Sequence, residues 1–218
     1  MADTPENIIG VIADFAANGL LERLEWMTVA PKTVLVLGDA NEKLNIGLQK
    51  RFPDATIGQS DKYDLIIANL VLPRAELPII KTWREQLVRG GLLLVTTLGP
   101  DTLKEWPDQA ACVIKRIDMH DVGDACVESG LVDPVMEVEH YTIAYSDAEK
   151  MQRELVASDL VILNDSALTA SEDGKYYLTC ELVYGHAWLS AEEEYQQQNE
   201  NGETYVSVNM LRRQLGRA

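Results

Sequence analysis

Basic residues are scarce in this sequence. Its 218 residues carry 19 Lys and Arg against 35 Asp and Glu, a formal net charge of -16. A nucleic-acid ligand needs a basic face for its phosphates, so that class of partner is not expected. An anionic membrane surface is disfavoured for the same reason. An acidic protein partner would need a local basic patch, and the candidates are Lys115 with Arg116, and Arg212, Arg213 and Arg217. Cysteine is sparse too: Cys112, Cys126 and Cys180 are odd in number, widely spaced and form no C-x-x-C pair. That excludes a disulfide framework or a cysteine zinc site, so no metal is expected and a reducing cytoplasm is the expected location. No apolar run approaches the ~20 residues of a membrane span. The opening MADTPENIIG has no basic segment followed by an apolar one, so no secretory signal is expected. No internal repeat, Ser-His-Asp set or Cys-His set is present.

What is there is the composition of a globular protein, 46% hydrophobic and of a length suited to one domain. Leu20, Leu21, Leu24 and Met27 fall at helical spacing over Phe15–Met27. Helical spacing is also read over Asn41–Phe52, Pro78–Val88 (closed by Gly90 and Gly91), Asp118–Gly130 and Asp147–Leu163. Thr102-Leu-Lys-Glu105 has capping-box spacing for a short helix before Pro107. Buried strands are expected at Thr33–Gly38, Lys62–Leu70 and Leu92–Gly99, with further strands at Ala55–Gly58, Val135–Ala144, Tyr176–Trp188 and around Val206 and Val208. Ser190–Glu203, with Glu192–Glu194, reads as polar and exposed. Alternating strands and helices with continuous apolar strands point to a mostly parallel α/β sheet, and an antiparallel finish suits the last two long strands.

Several stretches, in order, resemble the malonyl-acyl-carrier-protein O-methyltransferases of biotin synthesis. They are LLERLEWMTVAPKTVLVLG (Leu20–Gly38), LQKRFPDATIG (Leu48–Gly58), YDLIIANLVL (Tyr63–Leu72) and RGGLLLVTTLGPDTLKE (Arg89–Glu105). IDMHDVGDACVESGLVDPVMEVEHYTIAY (Ile117–Tyr145) is the most specific, and ELVYGHAW (Glu181–Trp188) follows near the end. The resemblance implies a class I methyltransferase fold, a doubly wound Rossmann-like sheet with antiparallel C-terminal strands. One domain is expected over 1–218: a helical segment to 32, a Rossmann-like half over 33–99, and a C-terminal half and tail from 100. The resemblance further implies S-adenosylmethionine as methyl donor and the carboxylate of a malonyl thioester on acyl carrier protein as acceptor.

Three departures from the family pattern bear on the donor site. The G-x-G-x-G loop reads Gly38-Asp39-Ala40-Asn41-Glu42, so only the first glycine is kept. The acid that ends the second strand and grips the ribose is replaced by Gly58-Gln59-Ser60, with Asp61 one step beyond. Only Lys62 separates Asp61 from the strand beginning at Tyr63, where the family has a helix, another strand and a loop. That is a deletion of about one strand–helix unit, tens of residues. It should leave Ala55–Gly58 as an exposed sheet edge through which a homodimer could form. Trp106–Arg116 also looks shortened.

On this reading Gly38, Asp39, Asn69 and Leu70 are the candidate cofactor-binding residues, and His120 is the candidate substrate contact; no catalytic acid or base is assigned. Each has a plainer alternative: Gly38 and Asp39 as an ordinary strand-to-helix turn, Asn69 as a strand-end hydrogen-bonder, and His120 as a neighbour of a helix-capping Asp118. Two functions stay open, a methyltransferase of this family and a catalytically silent relative that keeps the fold for binding.

Overall fold

The structure is a computed structural model describing residues 8–39, 41–162 and 168–191, with the backbone of 197–198 and 204–205. The expected tail features at Glu192–Glu194, Val206 and Val208, the cations Arg212, Arg213 and Arg217, and Leu163 lie outside these described residues, as does Ala40.

Helix α1 (Ile8–Glu25) starts a full two turns before the expected Phe15, because Ile8 and Ile12 extend the same buried stripe as Leu20 and Leu24. Strand β1 (Thr33–Leu37), helix α2 (Lys43–Arg51), strand β2 (Thr56–Ile57) and strand β3 (Tyr63–Asn69) follow. Helix α3 (Ile79–Gln86) is shorter than expected. Strand β4 (Leu87–Leu98) takes over at Leu87 and runs through the glycine pair instead of starting after it. The ladder explains this. Tyr63 pairs with Leu87 but Leu65 with Leu92, so β4 bulges between them, and Gly90 takes the positive φ of 75° that the bulge needs.

Helix α4 (Met119–Glu128), strand β5 (Val132–Tyr145), helix α5 (Ala148–Ala157) and strand β6 (Tyr176–Trp188) complete the main body. A two-stranded pair, β7 (Gln197–Gln198) with β8 (Thr204–Tyr205), forms a separate sheet. The capping-box helix is absent: Thr102–Glu105 forms turns, with Leu103 at a φ of 57°. Tertiary partners take its caps. The Thr102 hydroxyl exchanges hydrogen bonds with the Glu181 backbone, and the Glu105 carboxylate accepts from Thr179 N at 2.8 Å.

The main sheet has the order β2-β1-β3-β4-β6-β5. The first four strands pair in parallel; β6 runs antiparallel between β4 and β5, as the spacing of the last strands suggests. Helices cover both faces. On one, Leu20 and Leu24 of α1, Leu44 and Leu48 of α2 and Leu155 of α5 pack against Leu65, Ile67 and Leu94. On the other, Ile80 and Trp83 of α3 and Val122 and Cys126 of α4 pack against Ile66, Leu93 and Val95.

Five residues, 58–62, carry the chain from β2 across β1 to β3. Such parallel crossovers usually take a dozen or more residues and a helix. Two strand spacings are only about 9.5 Å, which five residues at about 3.5 Å each can span. They can do so only if β2 stops low, since Val34 pairs with both Ile57 and Leu65 and the chain must drop back to begin β3. This accounts for a β2 of two residues at the sheet edge. It also accounts for β1, read from sequence as buried, being fully buried only at Val34. Asp64 anchors the amino ends of β1 and β3, its Oδ2 accepting from Lys32 N, Thr33 N and Thr33 Oγ1 at 2.8–2.9 Å.

Candidate donor site at the strand ends

A doubly wound sheet binds ligands beyond the carboxyl ends of its parallel strands. Here β1 ends at Gly38 and Asp39, β3 at Asn69 and Leu70, and β4 near Thr96. The structure brings Gly38, Asn69 and Leu70 together. Gly38 has a φ of 78°, and a Cβ built on it would lie 1.9 Å from Asn69 O, so no side chain fits there. The surviving glycine is therefore required by the close approach of β1 and β3.

Asn69 is buried and bonded on every side. Its Nδ2 donates to Ala13 O of α1 at 2.9 Å and, at a longer 3.4 Å, to Gly38 O, while Oδ1 accepts from the Thr96 hydroxyl at 2.8 Å. Leu70 sits at a φ of 52° with its N–H on Thr96 Oγ1 at 2.9 Å. Sequence reading missed Thr96. Its signal was present, a polar pair, Thr96 and Thr97, inside the otherwise apolar and fully buried stretch 91–98 of β4. It also missed α1 as a wall of the site, tied by the Ala13–Asn69 bond and by Asn41 Nδ2 on Asp14 Oδ1 at 2.9 Å.

Asp39 caps α2: its carboxylate accepts from Leu44 N at 2.9 Å and Asn45 N at 2.8 Å. Those are the first-turn amides an anion at a helix N-terminus would use. Glu42, at the formal N-cap with a φ of 58°, makes no side-chain cap. Asp61 lies exposed in the short link after β2.

His120 stands apart from this group on the first turn of α4. That turn begins at the same end of the sheet, because Ile117 N bonds Leu98 O at 2.7 Å. Asp118 is the N-cap, accepting from His120 N at 2.8 Å and pairing with His120 Nδ1 at 2.7 Å. The backbone bond from His120 first, then the ring, holds the Asp118 carboxyl below its ordinary range.

Arg23 bridges Glu137 and Glu139 and stacks 3.6 Å from the Tyr184 ring centroid. Beside it a cavity of about 340 Å³ is lined by Trp26, Met27, Val135, Tyr184 and His186. Burial lowers the His186 pKa. An apolar cavity of about 230 Å³ lies between the start of α1 and β5–β6, with Phe15, Tyr141, Ile143 and Cys180 in its lining. Among the described residues, Asp101, His140 and Glu181 bring ligand-type atoms within 4.8 Å of one another. Lys104 already sits 2.9 Å from Asp101, however, and Asp101 N donates to Glu181. Cys126 and Cys180 are free thiols whose pKa burial pushes up to about 12. No helix among the described residues is long and apolar enough to cross a membrane.

No protein-family model matches the chain. Among proteins of known function it is similar to the malonyl-acyl-carrier-protein O-methyltransferase of Halorhodospira halophila, 28% identical over 94% of this chain and 90% of the relative. That of Legionella pneumophila is 26% identical over 96% and 94%. That of Laribacter hongkongensis reaches 34% over 61% and 53%. The Halorhodospira alignment spans 266 positions yet uses 94% of 218 residues, about 205, so about 60 of its positions have no residue here.

Among solved structures, a Bacillus halodurans protein described as a methyltransferase superposes with a TM-score of 0.52 at 9% identity, covering 79% of this chain and 98% of its own. The YcgJ protein of Bacillus subtilis gives 0.51 at 10% identity, with 81% and 98% covered. Sheet order and superposition thus give this protein the class I methyltransferase fold, and along nearly its whole length its sequence is similar to the malonyl-acyl-carrier-protein O-methyltransferases.

Proposed function

We propose that the chain is a carboxyl O-methyltransferase relative whose donor site, at the ends of β1 and β3, takes S-adenosylmethionine, and whose acceptor is a malonyl thioester carried by acyl carrier protein. Similarity to enzymes of that name over nearly the full length of both chains carries the reading. The position of Gly38, Asn69 and Leu70 fits it, because a doubly wound sheet takes its ligand beyond the carboxyl ends of its parallel strands. S-adenosylmethionine would supply a sulfonium methyl. Gly38, Asn69 and Leu70 would hold its amino-acid end, with Asp39 ordering the loop through its bonds to α2. The acceptor carboxylate is already ionised at neutral pH. The protein's task is therefore alignment and exclusion of water, and no general base is needed. His120, exposed at the same end of the sheet, is the proposed acceptor contact.

A catalytically silent relative is the second reading. Asp39 occupies the α2 amides with its own carboxylate, and Glu42 adds another beside them, which opposes the donor's carboxylate. The link of five residues leaves no room for the strand whose end lines the adenine pocket in the family. The proposed partner is acyl carrier protein and not a second copy. The β2 edge offers two residues for pairing, below the usual 3–10 of a strand. Calorimetric titration with S-adenosylmethionine and S-adenosylhomocysteine separates the readings. Micromolar binding supports the enzyme, and assays with malonyl carrier protein follow; no heat at millimolar ligand supports the silent relative.

A further inference from the structure

We propose that Thr96 is the positioning residue of the donor site, holding Asn69 and Leu70 in place from the neighbouring strand. The inference rests on the reading of the strand ends as a donor site. Thr96 is fully buried on β4 and cannot touch solvent, yet its hydroxyl serves two partners across the sheet. It donates to Asn69 Oδ1 at 2.8 Å and accepts from Leu70 N at 2.9 Å.

The second bond matters because Leu70 has a φ of 52°, a left-handed conformation that a leucine adopts only when its surroundings impose it. The first matters because it orients the Asn69 amide. With Oδ1 turned to Thr96, both Nδ2 hydrogens point at Ala13 O and Gly38 O, and one side chain joins α1, β1 and β4. Remove the hydroxyl and Asn69 Oδ1 and Leu70 N lose a buried partner together. Leu70 is then free to leave φ 52°, and the backbone that would face the donor moves with it.

Thr97, the next residue, is an internal control. It is equally buried, but its hydroxyl has no hydrogen-bond partner among the described residues. A threonine-to-valine change there removes the same atom from the same strand without breaking a bond.

The test is calorimetric titration of S-adenosylhomocysteine into the wild type and into Thr96→Ser, Thr96→Val and Thr97→Val, with circular dichroism to establish folding. Thr96→Val is expected to weaken binding about tenfold or more, as loss of a buried hydrogen bond does. Thr96→Ser, which keeps the hydroxyl, should rescue the affinity, and Thr97→Val should leave it unchanged. Should Thr96→Val fail to fold, Thr96→Ala removes the hydroxyl without added bulk and carries the same expectation. Wild-type affinity in the folded variant lacking the hydroxyl, or equal losses at Thr96 and Thr97, overturns the assignment and leaves the donor-site reading standing. A wild type that binds no S-adenosylhomocysteine at millimolar concentration overturns the donor-site reading, and the assignment falls with it.

Discussion

Replacing Gly38 by alanine tests the close approach that builds the strand ends. Two costs are added. At a φ of 78° any L-residue is strained, by about 1–2 kcal/mol. The new Cβ would also meet Asn69 O at 1.9 Å, and a backbone oxygen cannot rotate away as a side chain would. Overpacking of that kind costs about 1–3 kcal/mol. Gly174 supplies the control, with a φ of 76° and nothing within 4 Å of a built Cβ, so Gly174→Ala bears only the conformational cost. Urea unfolding followed by circular dichroism reads the difference. With a slope of about 2 kcal/mol per molar, the midpoint should fall by about 1–2.5 M for Gly38→Ala and by about 1 M or less for Gly174→Ala. Out of a total stability of about 5–15 kcal/mol the first loss is severe. Equal shifts in the two variants would refute the claim that β1 and β3 touch at Gly38, and with it the geometric basis of the proposed donor site.

Two more expectations follow from charge. At Asp64 burial alone would raise the carboxyl pKa, but the hydrogen bonds from Thr33 and Lys32 outweigh it and hold the folded-state value below the ordinary one. Its stabilisation is therefore present above the ordinary carboxyl range near pH 4 and is lost as pH falls through the lower folded value. Urea midpoints measured from neutral to acidic pH should show a shallower acid loss for Asp64→Asn than for the wild type, and parallel profiles would contradict this. For the carrier partner, Lys115 is paired with Glu76, and Arg116 bonds Thr102 O and Gln109, so that cluster is engaged internally. Charge reversal at Arg212 and Arg213 should abolish binding of acyl carrier protein in a pull-down or calorimetric assay, and unchanged binding would reject that surface.

Much of the architecture was legible before any coordinates. β6 matches its expected bounds of Tyr176–Trp188, and α4 begins at its expected Asp118 cap, because continuous apolar runs and an N-cap are local signals. The missing strand–helix unit was legible as the single residue between Asp61 and Tyr63, and the five-residue link and the aligned positions without counterparts agree with it. The capping box at Thr102–Glu105 was a false local signal, since β6 offered both side chains better partners. The glycine pair at Gly90 and Gly91 was read as a helix stop and is a strand bulge, because the same permissive φ serves either use.

The sequence by itself determined the α/β class, the order of the elements, the family likeness and the thinning of the donor loop to one glycine, since each is written in residues near one another in the chain. Only the tertiary structure decided what those residues do. Gly38 is indispensable because Asn69, thirty-one residues later, presses against it. Asp39 spends its carboxylate on α2, and Asn69 is clamped by α1 and Thr96. Such roles depend on which atoms meet across parallel strands, and a parallel sheet brings together residues that no local pattern relates.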